Sequence, residues 1–336
     1  MAQFFIARAD DLVAPLASIE CLLSDPAVAH GADQLGIGLF AHDPRAGDDS
    51  VEPALSSLAK DAADRWLDRC QAGDTMFFYM ASHGFVDSDF SALGALEDLG
   101  SVPRRAWENA INIQNLANSL PTTGAAGCFV FLDACQDVVT DALANYNGTG
   151  AIELFRSGLL KKTRTPVRSV ALAGSRFGKK AWAPTDGSPP FFTQTLIEGM
   201  STCCVERVHG LGWAVTGLQL MNGLEHVADA ALDHVGLQTE ALVGFKERVN
   251  LLKVVDPQIP IAVRTTVEGR INLASSVTAK DGNGTLFTRD DAALTWRFRI
   301  PPSRSTFVAR AEFAGPPASA SDREFDADAP AQIVTL

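Results

Sequence analysis

A histidine and a cysteine each follow an apolar run in this sequence. His83 comes directly after FFYMAS at residues 77–82, and Cys135 comes directly after CFVFLDA at residues 128–134. A thiolate is a strong nucleophile, and an imidazole can take the proton of a thiol and later deliver it to a leaving amine. The two residue types predict nucleophilic catalysis, provided that the fold brings them to one cleft.

Glycine at position 84 fits the same chemistry. Because glycine has no Cβ, a substrate carbonyl can approach the backbone closely at Gly84. The N–H groups of Gly84 and Cys135 are therefore candidates for an oxyanion hole, which stabilises the negative charge that develops on a carbonyl oxygen during acyl transfer.

Three short apolar runs are typical of strands buried on both faces of a parallel sheet. They are TMFFYMA at 75–81, GCFVFLDA at 127–134 and SVALAG at 169–174. Between and after them, helices are predicted at 53–71, 108–120, 191–200 and 213–235. Strands that alternate with helices indicate an α/β fold with a mostly parallel sheet. Because ligands bind outside the carboxyl ends of such strands, we expect His83 and Cys135 to face each other over a shared cleft.

The pattern changes beyond about residue 250. The chain there alternates apolar and polar residues, is rich in Thr and Val, and contains the turn signals Asp281-Gly282 and Asn283-Gly284. This pattern predicts a small antiparallel C-terminal all-β domain, a sandwich, over residues 250–336. The α/β domain is expected over residues 1–249.

Composition narrows the class of protein. The chain has 336 residues, of which 46% are hydrophobic and 20% charged, as in globular proteins. A net charge of −12 disfavours nucleic-acid partners and suits a basic peptide. No apolar stretch approaches the roughly 20 residues that cross a bilayer, and the start does not read as a secretory signal. Six cysteines without a CxxC pair fit reduced thiols, so we expect a cytoplasmic protein with no membrane partner.

The motifs around the two reactive residues resemble those of a known family. FFYMASHG and VFLDACQ, with His83 52 positions before Cys135, are similar to the paired motifs of the caspase-like cysteine peptidases. This family comprises caspases, metacaspases and bacterial relatives, and its histidine precedes its cysteine by about 50 residues. LGALEDLG at 93–100 and SPPFFTQTLIEGM at 188–200 fit the bacterial members. The resemblance covers roughly residues 12–245.

The resemblance implies a caspase-like three-layer sandwich and a cysteine endopeptidase that acts on protein or peptide substrates. Neither a metal nor another cofactor is expected to take part in the chemistry. By motif match, His83 is the base, Cys135 the nucleophile and Gly84 an oxyanion donor. The alternative for His83 is a hydrogen-bonded structural histidine.

The resemblance also suggests residues that bind substrate. Asp133, two residues before the nucleophile, matches the acid that lines the S1 pocket of metacaspase-like members and favours Arg or Lys before the cut. The alternative for Asp133 is a helix cap or a loop anchor. Ser175 and Arg176 follow the third strand and are candidates for the substrate groove.

Two other segments each have two interpretations. Family members are often cut between the second and third strands, so self-processing after Lys162 or Arg164 is a hypothesis, against a solvated loop. Asp87 and Asp89 could bind calcium, although two acids in a loop are more often only solvated.

The start of the chain departs from the family. The family opens with a strand, but only FFIA at 4–7 is available here. Either FFIA forms a reduced first strand or that strand is missing. A missing strand would leave a sheet edge to be covered by an activating or partner chain or by another element.

Two further hypotheses compete with the peptidase. One is a catalytically silent caspase-fold scaffold that binds a partner through its β domain. The other is a thiol hydrolase that acts on a non-peptide amide or ester.

Overall fold

The computed structural model describes most of the chain. The described residues are 1–23, 52–87, 89–102, 107–138, 151–152, 154, 168–234, 236–242, 249–264, 274–284, 286–289, 295–303, 306–313, 319–327 and 330–336. Contacts group them into two compact units, one of Met1–Thr193 with Gln238–Leu251 and one of Gln194–Leu237 with Leu252–Leu336. This grouping differs from the boundary expected near residue 250, which stays a prediction.

The described residues form five α-helices, two short 3-10 turns, one π-helical turn and twenty strands. The helices are α1 Ala2–Ala7, α2 Ser56–Arg69, α3 Ile113–Ser119, α4 Phe191–Glu198 and α5 Gly217–Leu232, with 3-10 turns at Ala9–Asp11 and Leu120–Thr122 and a π-helical turn at Gly199–Cys203. The strands are β1 Leu22–Leu23, β2 Glu52–Pro53, β3 Thr75–Ala81, β4 Gly84–Val86, β5 Ala92–Ala95, β6 Ala110–Asn112, β7 Gly127–Asp133, β8 Asp137–Val138, β9 Arg168–Ala173, β10 Val205–Val208, β11 Gly212–Thr216, β12 Glu240–Ala241, β13 Asn250–Lys253, β14 Ile259–Arg264, β15 Ala274–Asp281, β16 Leu286–Arg289, β17 Thr295–Ile300, β18 Thr306–Phe313, β19 Ser319–Asp326 and β20 Gln332–Thr335.

The fold is mixed α/β with several sheets. In the first unit, the main sheet has the order β12-β9-β7-β3; β3, β7 and β9 run parallel, and β12 is an antiparallel edge strand. The three apolar runs thus form the three parallel strands, as predicted. Two predicted helices are shorter than expected, because β6 and β11 take up their first residues.

Helices pack against both faces of strand β7. The even-numbered side chains Cys128, Val130 and Leu132 lie in one apolar cluster with residues of α2 and α3. On the other face, the Phe131 ring lies 5.3 Å from that of Phe77 and 6.4 Å from that of Phe192 at the start of α4. Every residue of β7 is buried as a result, which accounts for its uninterrupted apolar sequence.

Strand β3 is less buried than its sequence predicts. It is an edge strand of the described sheet, and Phe77, Phe78, Tyr79 and Met80 are only half-buried. FFIA does not form a strand, because residues 4–7 belong to helix α1, and the interpretation of FFIA as a reduced first strand is therefore wrong. The Phe5 ring packs 4.5 Å from that of Phe77 instead.

A second small sheet continues beyond the ends of β3 and β7. Its order is β6-β5-β4-β8, with β4 antiparallel to β5 and parallel to β8. Strand β4 follows β3 along the chain, and β8 follows β7. The same two chain segments are therefore paired both before and after residues 82–83 and 134–136.

Strands of the second unit contribute to three sheets among the described residues. Their orders are β10-β11-β13, β17-β14-β20 and β16-β15-β18-β19. The four-stranded sheet is antiparallel, as predicted for this part of the chain, but β14 pairs in parallel with β20. Helix α5 packs on β14, and Arg264 of β14 forms an ion pair with Asp229 of α5. No helix among the described residues is long and apolar enough to cross a membrane.

Candidate active site

The strand registers bring His83 and Cys135 to equivalent positions on neighbouring segments. Before the two residues, Ala81 of β3 pairs with Asp133 of β7. After them, Phe85 of β4 pairs with Asp137 of β8. The difference in residue number between the partners is the same in both pairings. Between the two pairings along the chain, the Ser82 N–H donates to the Asp133 carbonyl at 3.1 Å. By continuation of this register, His83 and Cys135 occupy equivalent positions on the two neighbouring segments.

Gly84 lies where the two segments approach closely. A Cβ placed on Gly84 would lie 2.5 Å from the Cys135 carbonyl oxygen and 2.6 Å from the Ala134 Cβ. Both contacts are with rigid parts of the chain, so only glycine fits here without a shift of the backbone. Sequence reasoning assigned this glycine to an oxyanion hole; the structure adds that the glycine allows the close approach of the loop that carries the thiol.

His83 presents an exposed side chain on a fixed backbone. Its carbonyl accepts hydrogen bonds from the Ala95 N–H and the Ser82 hydroxyl, both at 2.8 Å. The side chain is exposed and makes no hydrogen bond within the described part of the chain. The imidazole nitrogens are thus accessible to a proton donor, and the structural interpretation of His83 stays a prediction beside the catalytic one.

Cys135 is half-buried, and the backbone of a neighbouring loop holds its sulfur. The Sγ atom accepts the Ala181 N–H at 3.3 Å. Two further backbone bonds fix this loop, from the Gln136 N–H to the Lys179 carbonyl at 2.9 Å and from the Gly178 N–H to the Gln136 carbonyl at 2.8 Å. The thiol also donates to the Ala181 carbonyl at 3.9 Å, so both backbone groups of Ala181 hold the sulfur, and the N–H group is a partner that suits a thiolate.

The other cysteines are poorer candidates for a nucleophile. Burial raises the pKa of the Cys21, Cys70 and Cys204 thiols and raises the pKa of the Cys128 thiol to about 12. Cys203 is completely buried. A thiol that keeps its proton at neutral pH reacts slowly, so these environments favour a structural role.

Asp133, the last residue of β7, is buried and bonded to the start of α4. Its Oδ2 atom accepts the Thr193 N–H at 3.0 Å and also the Thr193 hydroxyl. Thr193 lies in the first turn of α4, so this contact is of the kind that the helix-cap alternative expects, and the substrate-binding role of Asp133 stays a prediction. Its Oδ1 atom has no hydrogen-bond partner among the described residues. Burial raises the pKa of this carboxyl to about 6, and the two bonds from Thr193 partly oppose that rise.

The remaining predicted site residues differ in their surroundings. Ser175 is buried, and its hydroxyl donates to the Ala134 carbonyl at 2.8 Å, so it braces the loop that carries Cys135. Arg176 is exposed. A substrate-binding role for either residue stays a prediction. Lys162 and Arg164 lie outside the described residues.

The two acids considered for calcium form a turn. The Asp87 Oδ1 atom accepts the N–H groups of Asp89 at 2.9 Å and Ser91 at 2.7 Å, the arrangement of an Asx turn. Nowhere in the described ranges do three or more His, Cys, Asp or Glu side chains come close enough together to hold a metal.

Sequence reasoning missed Thr193, Tyr79 and Ala181. The Tyr79 hydroxyl is hydrogen-bonded to the Thr193 hydroxyl, which links both residues to Asp133. Thr193 lies within the FFTQT segment that carried part of the resemblance, but no spacing rule connects it to Asp133. Ala181 acts through its backbone N–H, which has no signature in the sequence.

Comparisons with known proteins do not assign the chain to a family. No family model matches it, and no curated protein matches it. Among solved structures, one similar chain is described as "The Bacillus anthracis TIE protein". It is 10% identical, the match covers 30% of this chain and 21% of that chain, and the TM-score is 0.18. The chain thus matches about a fifth of that protein's length.

Proposed function

We propose that the protein is a caspase-like cysteine endopeptidase in which His83 and Cys135 form the catalytic dyad. The observation that carries this proposal is the common register of β3 with β7 and of β4 with β8, which sets the two residues opposite each other. The exposed imidazole and the half-buried thiol meet a further requirement, because both must reach a substrate.

The proposed chemistry is acyl transfer through the thiol. His83 takes the proton of Cys135, and the thiolate attacks the carbonyl carbon of the scissile peptide bond. The oxyanion that forms accepts hydrogen bonds from the N–H groups of Gly84 and Cys135. The imidazolium then protonates the leaving amine, and water hydrolyses the thioester to release the acid and restore the thiol.

A caspase-like three-layer sandwich with a mostly parallel sheet, followed by a C-terminal all-β domain, is the fold that belongs to this proposal. Of the three parallel strands, β3 and β7 are followed by the reactive residues, and helices pack on both faces of β7. Both features are what such a layout requires.

We propose further that the enzyme cuts after Arg or Lys. Asp133 lies two residues before the nucleophile, is 3% exposed and has one oxygen without a partner among the described residues. A guanidinium group can pair with a carboxylate through two hydrogen bonds, which would satisfy that oxygen. The net charge of −12 also favours a basic substrate.

Cleavage of matched fluorogenic peptides by the parent protein and variants tests the proposal. Cys135→Ala should abolish cleavage of a peptide with Arg before the cut, and His83→Ala should lower kcat by at least about 100-fold. Cys70→Ala, which changes another half-buried cysteine of the same unit, should leave the rate unchanged.

Four results would overturn parts of this assignment. Equal cleavage by the parent and by Cys135→Ala would remove the dyad, and a preference for Asp before the cut would remove the basic specificity. If a thiol-reactive peptide probe fails to label Cys135 in the folded parent protein, the chain is instead a catalytically silent binding module. A parent protein that hydrolyses small esters or amides but no peptide is the thiol hydrolase of the third hypothesis.

A further inference from the structure

Thr193 joins two side chains from neighbouring strands. Tyr79 of β3 and Asp133 of β7 lie on the same face of the sheet, because their positions in the parallel register are separated by two residues. Thr193 reaches both, with its hydroxyl bonded to the Tyr79 hydroxyl and to the Asp133 Oδ2 atom. Its backbone N–H donates to the same carboxylate oxygen at 3.0 Å.

The direction of the hydrogen bonds follows from which of the three groups carry a proton to donate. A carboxylate only accepts, so the single proton of the Thr193 hydroxyl goes to Asp133. The Thr193 oxygen is then left to accept the proton of the Tyr79 hydroxyl. Burial is the main reason that the pKa of Tyr79 is raised, which keeps that hydroxyl a neutral donor.

The chain of hydrogen bonds engages only one of the two carboxylate oxygens. Oδ2 receives two donors, whereas Oδ1 is buried and has none among the described residues. Thr193 is itself 4% exposed, so this side of the carboxylate is closed to water. A buried, unpaired oxygen on a charged group is unfavourable, and a cationic group that reaches it would relieve that cost.

We propose that Thr193 and Tyr79 are positioning residues that orient the Asp133 carboxylate so that Oδ1 binds the cationic side chain of an Arg or Lys substrate. This inference rests on the proposed peptidase function. Tyr79 and Thr193 do not touch the scissile bond. They act through Asp133, so they govern substrate selection and leave the bond-breaking step unchanged.

Ionisation of Asp133 links this arrangement to pH. Burial raises the pKa of its carboxyl to about 6, and among the described residues Tyr79 is the titratable group whose pKa responds to its charge. KM for an Arg peptide should therefore rise as the pH falls through about 6, while KM for the same peptide with neutral citrulline should not change.

Kinetics of four variants on the Arg and citrulline peptides test the proposal. Thr193→Val should raise KM for the Arg peptide by about tenfold or more, because a hydrogen bond to a charged group is lost, and should leave kcat within about twofold. The pH midpoint of the change in KM should also move upward in this variant.

Tyr79→Phe should show a smaller rise in KM for the Arg peptide, and Thr193→Ser should restore the parent values because it keeps the hydroxyl. Thr122→Val, which removes a hydroxyl bonded only to the Ser119 carbonyl among the described residues, is the matched control and should behave as the parent.

A second measurement does not depend on activity. The folded Asp133 binds its proton more tightly than an ordinary carboxyl group with a pKa of 3.8 does. Protonation of Asp133 therefore stabilises the folded protein, and this contribution is fully present below about pH 4 and is lost as the pH rises through about 6. Asp133→Asn should remove this part of the pH dependence of unfolding, and Thr193→Val should extend it to higher pH.

The outcomes separate the two proposals. If no variant cleaves and neither does the parent, the peptidase assignment fails, and the unfolding curves still decide whether Thr193 governs the ionisation of Asp133. If the parent prefers Arg to citrulline but Thr193→Val keeps the parent KM and pH midpoint, the positioning role is wrong and the peptidase assignment stands. Equal loss of kcat on both peptides would indicate a structural role only.

Discussion

The two reactive side chains are held in different ways. The sulfur of Cys135 has a partner in the Ala181 N–H at 3.3 Å. Among the described residues, the exposed His83 is held through its backbone carbonyl and not through its side chain. An imidazole held in this way can rotate toward the thiol or toward a leaving group without breaking a side-chain bond. A general base that becomes a general acid within one turnover needs that freedom, and such contacts often tighten only when substrate is bound.

Gly84 provides a test that leaves both reactive groups in place. In Gly84→Ala the new Cβ meets the Cys135 carbonyl oxygen at 2.5 Å and the Ala134 Cβ at 2.6 Å, so one segment must move. Overpacking of this kind lowers the free energy of unfolding by about 1–3 kcal/mol, and the displaced loop should lower kcat/KM by at least about 100-fold. Peptide cleavage and chemical denaturation measure the two effects.

Gly282→Ala is the matched control for that prediction. No atom lies within 4 Å of a Cβ placed at Gly282, so activity and stability should stay at the parent values. If Gly84→Ala retains full activity with unchanged stability, the close approach of the two segments is incorrect, and the support for the opposed dyad is weakened with it.

At this scale, sequence reasoning identified the reactive residues but not the residues that hold them. His83 and Cys135 were predicted because a thiol and an imidazole can act together as nucleophile and base, and because each residue follows an apolar run. Thr193 is 60 positions beyond Asp133 and contacts it only because α4 begins beside the end of β7. Contacts between residues so far apart in the chain depend on packing, which composition and spacing do not encode.

Strand β3 shows that the sequence pattern also leaves the position of an element in the fold undetermined. Its run TMFFYMA is as apolar as that of β7, and the pattern predicted two buried faces for both. Hydrophobic periodicity reports burial of side chains, not the number of neighbouring strands, so it cannot tell a central strand from an edge strand. The segment FFIA was too short to predict whether another strand lies beside β3, and it forms part of a helix.

The position of β3 at the edge of the described sheet makes a prediction about amide exchange. The Ser82 N–H donates to β7, so the even-numbered residues of β3 direct their N–H groups to that strand and the odd-numbered residues direct theirs away. The amides of Phe77 and Tyr79 should therefore exchange with deuterium on the order of 100-fold faster than those of Phe78 and Met80. Site-resolved hydrogen exchange by NMR measures this ratio, and the even-numbered amides serve as internal controls.

Equal protection of all four amides would contradict an open edge and would mean that another strand pairs with β3. Protection that increases with protein concentration would identify that strand as part of a second copy. Protection that appears only on addition of another protein would support the expected activating or partner chain.

At the scale of the whole molecule, the contacts and the sequence pattern divide the chain at different places. The pattern changes near residue 250, where α/β alternation gives way to strands alone. The contacts instead group Gln194–Leu237 with the C-terminal strands. The buried face of α5 gives a physical reason for this grouping, because its side chains Leu220, Leu224 and Val227 are fully buried. Gly223 on the same helix lies so close to Pro330 that a Cβ there would overlap the proline ring.

A chain that ends at residue 249 tests this grouping. It would lose β14, on which α5 packs, and the partner of the ion pair between Arg264 and Asp229. Exposure of three large apolar side chains costs roughly 1.5–3 kcal/mol each, so α5 should unfold and residues 194–237 should become sensitive to limited proteolysis. Mass spectrometry of the fragments locates the cuts, with the full-length chain as the control. Resistance of residues 194–237 in the shortened chain would instead support a domain boundary near residue 250, because α5 would then be stable without the strands that follow it.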